Sequence, residues 1–290
     1  MRAALVFLLL AVHVAHADPA ADATKAFTAF VESVATSKPA TAGLDLFITP
    51  FREDVPVPAD LGPVKKLLDK PKVKVTKLVV SKGGKSAWLA GEVTARVPHD
   101  GKLKSESLRA SALLSLDDGS WRVRATAWSA AVPNRAYEGC GNIEPGWHLT
   151  SDVPKDLVAP VKAVIDAFQA MPAVDGMPVG GGDRGPLLKL LSDDPGALAI
   201  GSAASERFAG GAAIKAVFKK WFITFGYGEG EDKAVPARAG IGAGGELMWM
   251  YIATMSNAQC TQYRTFLVLA KEKAGWRIVH QHYSEHILPP

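Results

Sequence analysis

Two stretches of this chain carry one pattern: Trp121-Arg122-Val123-Arg124-Ala125-Thr126-Ala127-Trp128-Ser129 and Trp276-Arg277-Ile278-Val279-His280-Gln281-His282-Tyr283-Ser284. Each opens on Trp-Arg, runs through alternating positions and closes on an aromatic followed by Ser. An Arg stands twelve residues before each opening Trp, at Arg109 and at Arg264. Trp88 and Trp249 stand further upstream, 33 and 27 residues before Trp121 and Trp276. A pattern repeated at this scale constrains the fold more than composition does, because each copy must solve the same packing problem. It reads as an internal duplication whose turns differ by about a hairpin's length, as surface turns tolerate.

The segments around each copy follow one programme. In the first half, Phe27, Phe30, Val31 and Val34 recur at helical spacing, so Ala23 to Val34 is a helix with one apolar face. Leu44 to Phe51 is apolar and of ambiguous type. Val64, Leu67 and Leu68 suggest a short helix ahead of Pro71. The period then changes to two. Strands are expected over Lys72–Val80, Ala87–Val97, Leu103–Leu116 and Trp121–Val132, with hairpin turns at Asp100-Gly101 and Asp118-Gly119. Pro133 to Pro160 is rich in Gly and Pro and reads as a linker. In the second half Val161, Val164, Ile165 and Phe168 repeat the first helix's spacing. Leu187–Leu191 is a short helical piece, and Ile214, Val217, Phe218, Trp221 and Phe225 form a further stripe. Strands follow at Ala197–Gly201, Ala234–Ile241, Glu246–Met255, Cys260–Leu269 and Trp276–Ile287. Helices first and an antiparallel meander later make the class α+β.

The first residues, Met1-Arg2, then an apolar run from Ala3 to Val14 and Ala15-His16-Ala17, have the form of a secretory signal cut after Ala17. The run is too short for a membrane span, and no later stretch qualifies. Export would place Cys140 and Cys260 in an oxidising compartment, where the two could pair. The net charge of +4 is too mild to imply nucleic acid as a partner, and Lys65-Lys66 with Lys70 to Lys77 reads as a solvated surface.

Several residues could carry chemistry. Arg264 and Arg109 sit mid-strand between apolar neighbours, so each needs a counter-charge or acceptors. Arg264 is either an anion anchor or a structural Arg paired with a carboxylate such as Glu206. Strict alternation puts Ile278, His280, His282, Ser284 and His286 on one face, with Val279, Gln281, Tyr283 and Glu285 on the other. The His280-x-His282 pair with His286 could ligate a metal, or could be hydrogen-bonded sheet histidines; no metal or cofactor is expected. His282-Tyr283-Ser284-Glu285-His286 fits an inverted zinc-peptidase pattern, but on a strand rather than the helix it needs. Gly240-x-Gly242-x-x-Gly245 fits a dinucleotide fingerprint, but precedes a strand rather than a helix. No poised base stands out. Strands Leu247–Met255 and Cys260–Leu269 hold no carboxylate, Glu92 and Glu106 sit among cations, and the remaining acids are Asp166, Asp175, Asp183 and Glu206.

The second half also resembles a known family. Ser192-Asp193-Asp194-Pro195, Ala199-Ile200-Gly201, Glu206-Arg207-Phe208-Ala209-Gly210-Gly211-Ala212-Ala213-Ile214, Phe218, Arg264-Thr265-Phe266 and the closing strand 276–284 are similar to the SnoaL-like family. That family belongs to the ketosteroid-isomerase-like, nuclear-transport-factor-like superfamily. The closing strand also resembles the association domain of calcium/calmodulin-dependent kinases. The resemblance covers most of 157–288 and is weaker over 22–132. It implies two tandem cones, each a curved sheet around helices: a degenerate copy at 22–132, a linker at 133–156 and a fuller copy at 157–290, behind a signal at 1–17. In the kinase domain the residues resembling Arg264 and Tyr283 line the pocket, which puts Gln281 and Tyr283 towards it. Relatives often dimerise through the outer sheet face, so the two halves are expected to pack as a pseudo-dimer within one chain. The family holds isomerases, cyclases and hydratases beside many non-catalytic binding or assembly domains. The expected function is binding of a small apolar or anionic ligand through Arg264, Tyr283, Gln281, Trp249, Tyr251 and Trp221. The alternative is a lyase or isomerase using a pocket carboxylate or His280/His282.

Overall fold

The computed structural model describes residues 18–36, 45–49, 55–57, 70–99, 102–129, 131, 152–171, 182–220, 237–256 and 261–287. The leader expected at 1–17, Cys140, Cys260, Trp221, Asp175 and the short helix expected around Val64 to Leu68 lie outside these residues. The chain builds two six-stranded sheets with helices on them, an α+β architecture.

Helix α1 (Pro19–Thr36) opens the first half. Asp18 caps it: its Oδ1 accepts the amides of Ala20 and Ala21 at 3.0 and 3.3 Å, and Pro19 follows where a missing N–H costs nothing. Such a cap contributes about 1 kcal/mol. The strands β1 (Asp45–Thr49), β2 (Val55–Val57), β3 (Val73–Val80), β4 (Ser86–His99), β5 (Lys102–Asp117) and β6 (Ser120–Ser129) form the first sheet in the order β2-β1-β6-β5-β4-β3. The β5–β6 turn holds Asp118 at φ 48° and Gly119 at φ 76°, the two positive values that a tight two-residue hairpin requires.

The second half begins with a 3-10 turn (Lys155–Leu157) running into α2 (Val158–Gln169), then α3 (Gly185–Leu190). The strands β7 (Leu198–Ile200) and β8 (Arg207–Ala209) and the helix α4 (Gly211–Phe218) follow, and β9 (Ala237–Ile241), β10 (Leu247–Ser256), β11 (Thr261–Glu272) and β12 (Gly275–Ile287) complete the sheet. Its order, β8-β7-β12-β11-β10-β9, repeats that of the first sheet position for position. In each, the last strand pairs in parallel with the first and antiparallel with its predecessor. Arg109 faces Ser129 across its ladder, and Arg264 faces Ser284 across the other. Trp88 lies opposite Leu113, and Trp249 opposite Val268.

Each closing strand also carries a bulge at the same place. The register shifts between Leu113 and Leu114, where Arg124 is the extra residue, and between Val268 and Leu269, where Val279 is. A bulge reverses the alternation beyond it. Ile278 therefore packs on the helix side with Tyr283, and not with His280 as strict alternation expects. Val279 joins the opposite face.

Three buried clusters follow. One joins α1 to the first sheet through Phe27, Phe30, Val31, Val34 and Trp128. A second joins α2, α3 and α4 to the second sheet through Val164, Phe168, Leu187, Phe218, Met250 and Leu267. The third lies where the sheets meet face to face and draws on both halves: Trp88, Leu113, Ala125 and Ala127 from one, Trp249, Tyr251, Phe266 and Val268 from the other. The layers thus run helix, sheet, sheet, helix, and both faces of each sheet are covered. Among the described residues no helix is long and apolar enough to cross a membrane.

Candidate functional site

The polar side chains of β12 divide between two faces. His280 and His282 point into the seam between the sheets and are fully buried. The His280 ring stacks on Trp88, with centroids 4.8 Å apart and planes within 12°. Its Nδ1 lies 2.9 Å from the Leu198 carbonyl and its Nε2 lies 2.7 Å from Ser111 Oγ. The same hydroxyl lies 2.9 Å from His282 Nδ1, and His282 Nε2 lies 2.8 Å from Ser129 Oγ. Arg109 Nη2 then donates to Ser129 Oγ at 2.9 Å. Arg109 Nη1 donates to the carbonyls of Gly201 and Ala203 in the other half.

The two ends of this chain fix every proton in it. A carbonyl only accepts, so His280 donates from Nδ1 and its Nε2 accepts. Ser111 must then donate its single hydrogen to His280 and accept from His282 Nδ1–H. His282 Nε2 becomes an acceptor, filled by the Ser129 hydroxyl, whose oxygen accepts from the guanidinium, a pure donor. The order is Arg109 to Ser129 to His282 to Ser111 to His280 to Leu198, with both imidazoles neutral. Burial agrees with that state. It pushes His280 down to about 3 despite the opposing Leu198 carbonyl, with Arg207 adding to the depression. His282 is held well below its usual range by burial first, then by Arg109 and His280. Arg109 is pushed down to about 10 by burial, against the opposing pull of Glu206, and stays charged at neutral pH.

All four ring nitrogens are thus occupied, and among the described residues no three His, Cys, Asp or Glu side chains cluster as a metal site. Other ties cross the same seam. Tyr251 Oη donates to the Thr126 carbonyl at 2.8 Å, Arg207 Nη2 to Thr76 Oγ1 at 2.9 Å, and the Gly83 amide to Glu246 Oε2 at 2.7 Å. The last bond, with Ser81, lowers the Glu246 carboxyl below its usual range.

The opposite face of the second sheet looks towards the helices. Gln281 and Tyr283 lie there, buried, with Tyr283 Oη donating to Gln281 Oε1 at 2.7 Å and its ring 6.5 Å from that of Phe218. Burial raises the Tyr283 phenol well above its usual value. In the first sheet the matching positions are Thr126 and Trp128, and there too the aromatic donates to its neighbour: Trp128 Nε1 to Thr126 Oγ1 at 2.8 Å. Thr126 in turn donates to the Ser111 carbonyl at 2.7 Å, which closes that pair.

The structure does not bring all six residues expected at one ligand site together. Gln281 and Tyr283 meet. Trp249 and Tyr251 lie on the other face, in the seam, with ring centroids 5.4 Å apart and Tyr251 5.0 Å from Phe266. The Trp249 indole lies flat over Gly240, where a Cβ would come within 2.6 Å of the ring. Arg264 is placed by its backbone alone, opposite Ser284; its side chain and Trp221 are outside the described residues. Of the acids, Asp166 is exposed and paired with Lys162 at 2.6 Å, and Asp183 accepts the Gly185 amide at 2.7 Å. Glu206 accepts the Ala203 amide at 3.0 Å, so it shapes the loop that Arg109 grips. Gly240 to Gly245 forms the β9–β10 hairpin, and the His282 to His286 pattern lies on β12. Ser129 stood in the sequence only as the close of the repeated strand, and the only signal of Ser111 was a small polar residue two positions beyond Arg109.

The fold and the site thus define an α+β protein whose second sheet carries its polar side chains on both faces. Residues 182–289 match the family model of the SnoaL-like domain. A search of curated proteins finds no match. Among solved structures, the chain is similar to a cystatin-like fold protein from Burkholderia xenovorans at 21% identity, covering 47% of this chain and 95% of that one, with a TM-score of 0.31. It is similar to a nuclear transport factor 2-like superfamily protein from Salmonella enterica serovar Typhimurium at 15% identity, covering 42% and 97%, with a TM-score of 0.31. A putative ketosteroid isomerase from Parabacteroides distasonis matches at 9% identity over 45% and 86%, with a TM-score of 0.32. At these scores none of them bears on function.

Proposed function

We propose that this chain is a non-catalytic binding protein built from two tandem SnoaL-like units, the second holding a small, partly apolar ligand on the helix side of its sheet. The observation that carries the reading is the division of labour on β12. The titratable histidines face the seam, and every ring nitrogen there is used. The helix side keeps Gln281 and Tyr283 buried beside the apolar cluster that includes Met248, Met250, Leu267, Leu269 and Phe218. An apolar lining with a few placed hydrogen-bonding groups suits ligand capture. A neutral amide and a phenol held far above neutral pH favour binding over proton transfer.

The first unit acts as the fixed partner. Its matching strand order, register and bulge support descent by duplication, and the shared cluster between the sheets supports an intramolecular pseudo-dimer. Export after cleavage near Ala17 completes the proposal; α1 starts two residues beyond that point. Native mass spectrometry of the purified protein tests the binding. The expected result is a co-purified small molecule that is lost in Gln281→Leu/Tyr283→Phe and reduced in Arg264→Ala. A protein that is empty as purified, and that takes up no member of a small-molecule panel, rejects ligand binding. Turnover of a bound compound that depends on Glu206 or His282 favours the lyase or isomerase alternative.

A further inference from the structure

We propose that the seam between the two sheets is an acid-operated latch: uptake of protons by His280 and His282 opens the sheets from one another while each keeps its own strands.

The argument begins with donor and acceptor counts. In the chain from Arg109 to the Leu198 carbonyl each hydroxyl hydrogen and each imidazole N–H has one acceptor, and each imidazole acceptor has one donor. One more proton has no place. Added at His280 Nε2, it meets the Ser111 hydrogen. If Ser111 turns to His282, that ring must shift its own proton to Nε2, where it meets the Ser129 hydrogen. If Ser129 turns in its turn, it faces the Arg109 guanidinium, which cannot accept. Either hydroxyl can instead accept from both of its neighbours, but its own hydrogen then has no acceptor in the chain, so wherever the proton starts, one buried donor is left without an acceptor there.

The surroundings give the charge no relief. The groups facing the pair are Arg109 from β5, Arg207 from β8, the ring of Trp88 from β4, and Tyr251 and Phe266 from β10 and β11. Glu206 acts on Arg109 and is already bonded to the Ala203 amide. Both cations oppose a charged imidazole, and burial opposes it further. Protonation therefore requires water, and water reaches these rings when the sheets part. Each sheet has a separate core with its own helices, so parting need not unfold either.

The sign follows from linkage. The histidines are depressed when the seam is closed and return to about 6.5 when it is open. Above pH 6.5 the latch is indifferent to pH. Below it, the opening equilibrium rises up to about tenfold per pH unit for each histidine, and about a hundredfold for the pair.

The experiment combines small-angle scattering with far-UV circular dichroism on the purified full chain from pH 8 to pH 4. The expected result is a reversible expansion below pH 6.5 with sheet content retained, accompanied by binding of an apolar dye to the exposed seam. The variant His280→Gln/His282→Gln, which bonds without titrating, should stay compact across the range. Loss of sheet content together with expansion, compactness down to pH 4, or an unchanged expansion in the double variant each overturns the proposal. Should that variant fail to fold, histidine-selective 13C NMR of the unaltered protein decides. The two buried rings must protonate together with the expansion, and titration within the compact state overturns the latch.

Discussion

Ser111 is the hinge of the buried chain, so Ser111→Ala tests it most directly. The hydroxyl donates to His280 Nε2 at 2.7 Å and accepts from His282 Nδ1 at 2.9 Å, and both rings are fully buried. Alanine removes both partners at once. Neither ring can recover by changing tautomer, because His280 Nδ1 is committed to the Leu198 carbonyl and His282 then merely exchanges an unpaired donor for an unpaired acceptor. Two buried polar groups are left without partners at about 1–3 kcal/mol each. Removing the desolvated hydroxyl returns about 1–2 kcal/mol. The middle of these ranges gives a net loss of about 2–3 kcal/mol. Urea unfolding followed by circular dichroism measures it as a lower midpoint at unchanged slope. Ser107→Ala, on the same strand but exposed, should stay within about 0.5 kcal/mol of the parent. If Ser111→Ala costs under 1 kcal/mol and matches the Ser107 control, the hydrogen-bond assignment is wrong.

Three further outcomes follow. Arg109→Met should destabilise by about 2–4 kcal/mol, since it removes the donor to Ser129 and leaves the Gly201 and Ala203 carbonyls without it; thermal unfolding against the parent reads the loss, and a shift under 1 °C refutes the role. Gly240→Ala should cost about 1–3 kcal/mol by forcing Trp249 off its rotamer, visible as a changed near-UV spectrum, and an unaltered spectrum with unaltered stability contradicts the packing. Thiol labelling of protein recovered from an exporting host should find Cys140 and Cys260 blocked until reduction, whereas two reactive thiols in the native protein exclude the pairing.

Much of the architecture was legible because it rests on local rules. The stripe of Phe27, Phe30, Val31 and Val34 has one way to bury itself, and the period-two runs from Val73 to Ser129 and from Ala237 to Ile287 have another. The Asp118-Gly119 turn sets its own hairpin, since both positions take positive φ. The repeated Trp-Arg strand foretold two sheets of one design. The faces were not legible. A strand buried on both sides shows no contrast between its two sets of residues, so Trp249 and Tyr251 look as suited to a ligand site as Gln281 and Tyr283. One extra residue, Val279, decides which side Ile278 takes, and no periodicity announces it.

The sequence by itself thus determined the elements and their order, because propensity, period and turn chemistry act within a few residues. Tertiary structure alone decided what the polar residues of β12 do. His280 and His282 meet Ser111, Ser129 and Arg109 from the other half of the chain across more than 150 positions. A hydrogen bond is set by the ångström-scale meeting of two sheets, and nothing in the neighbourhood of either residue along the chain encodes that meeting.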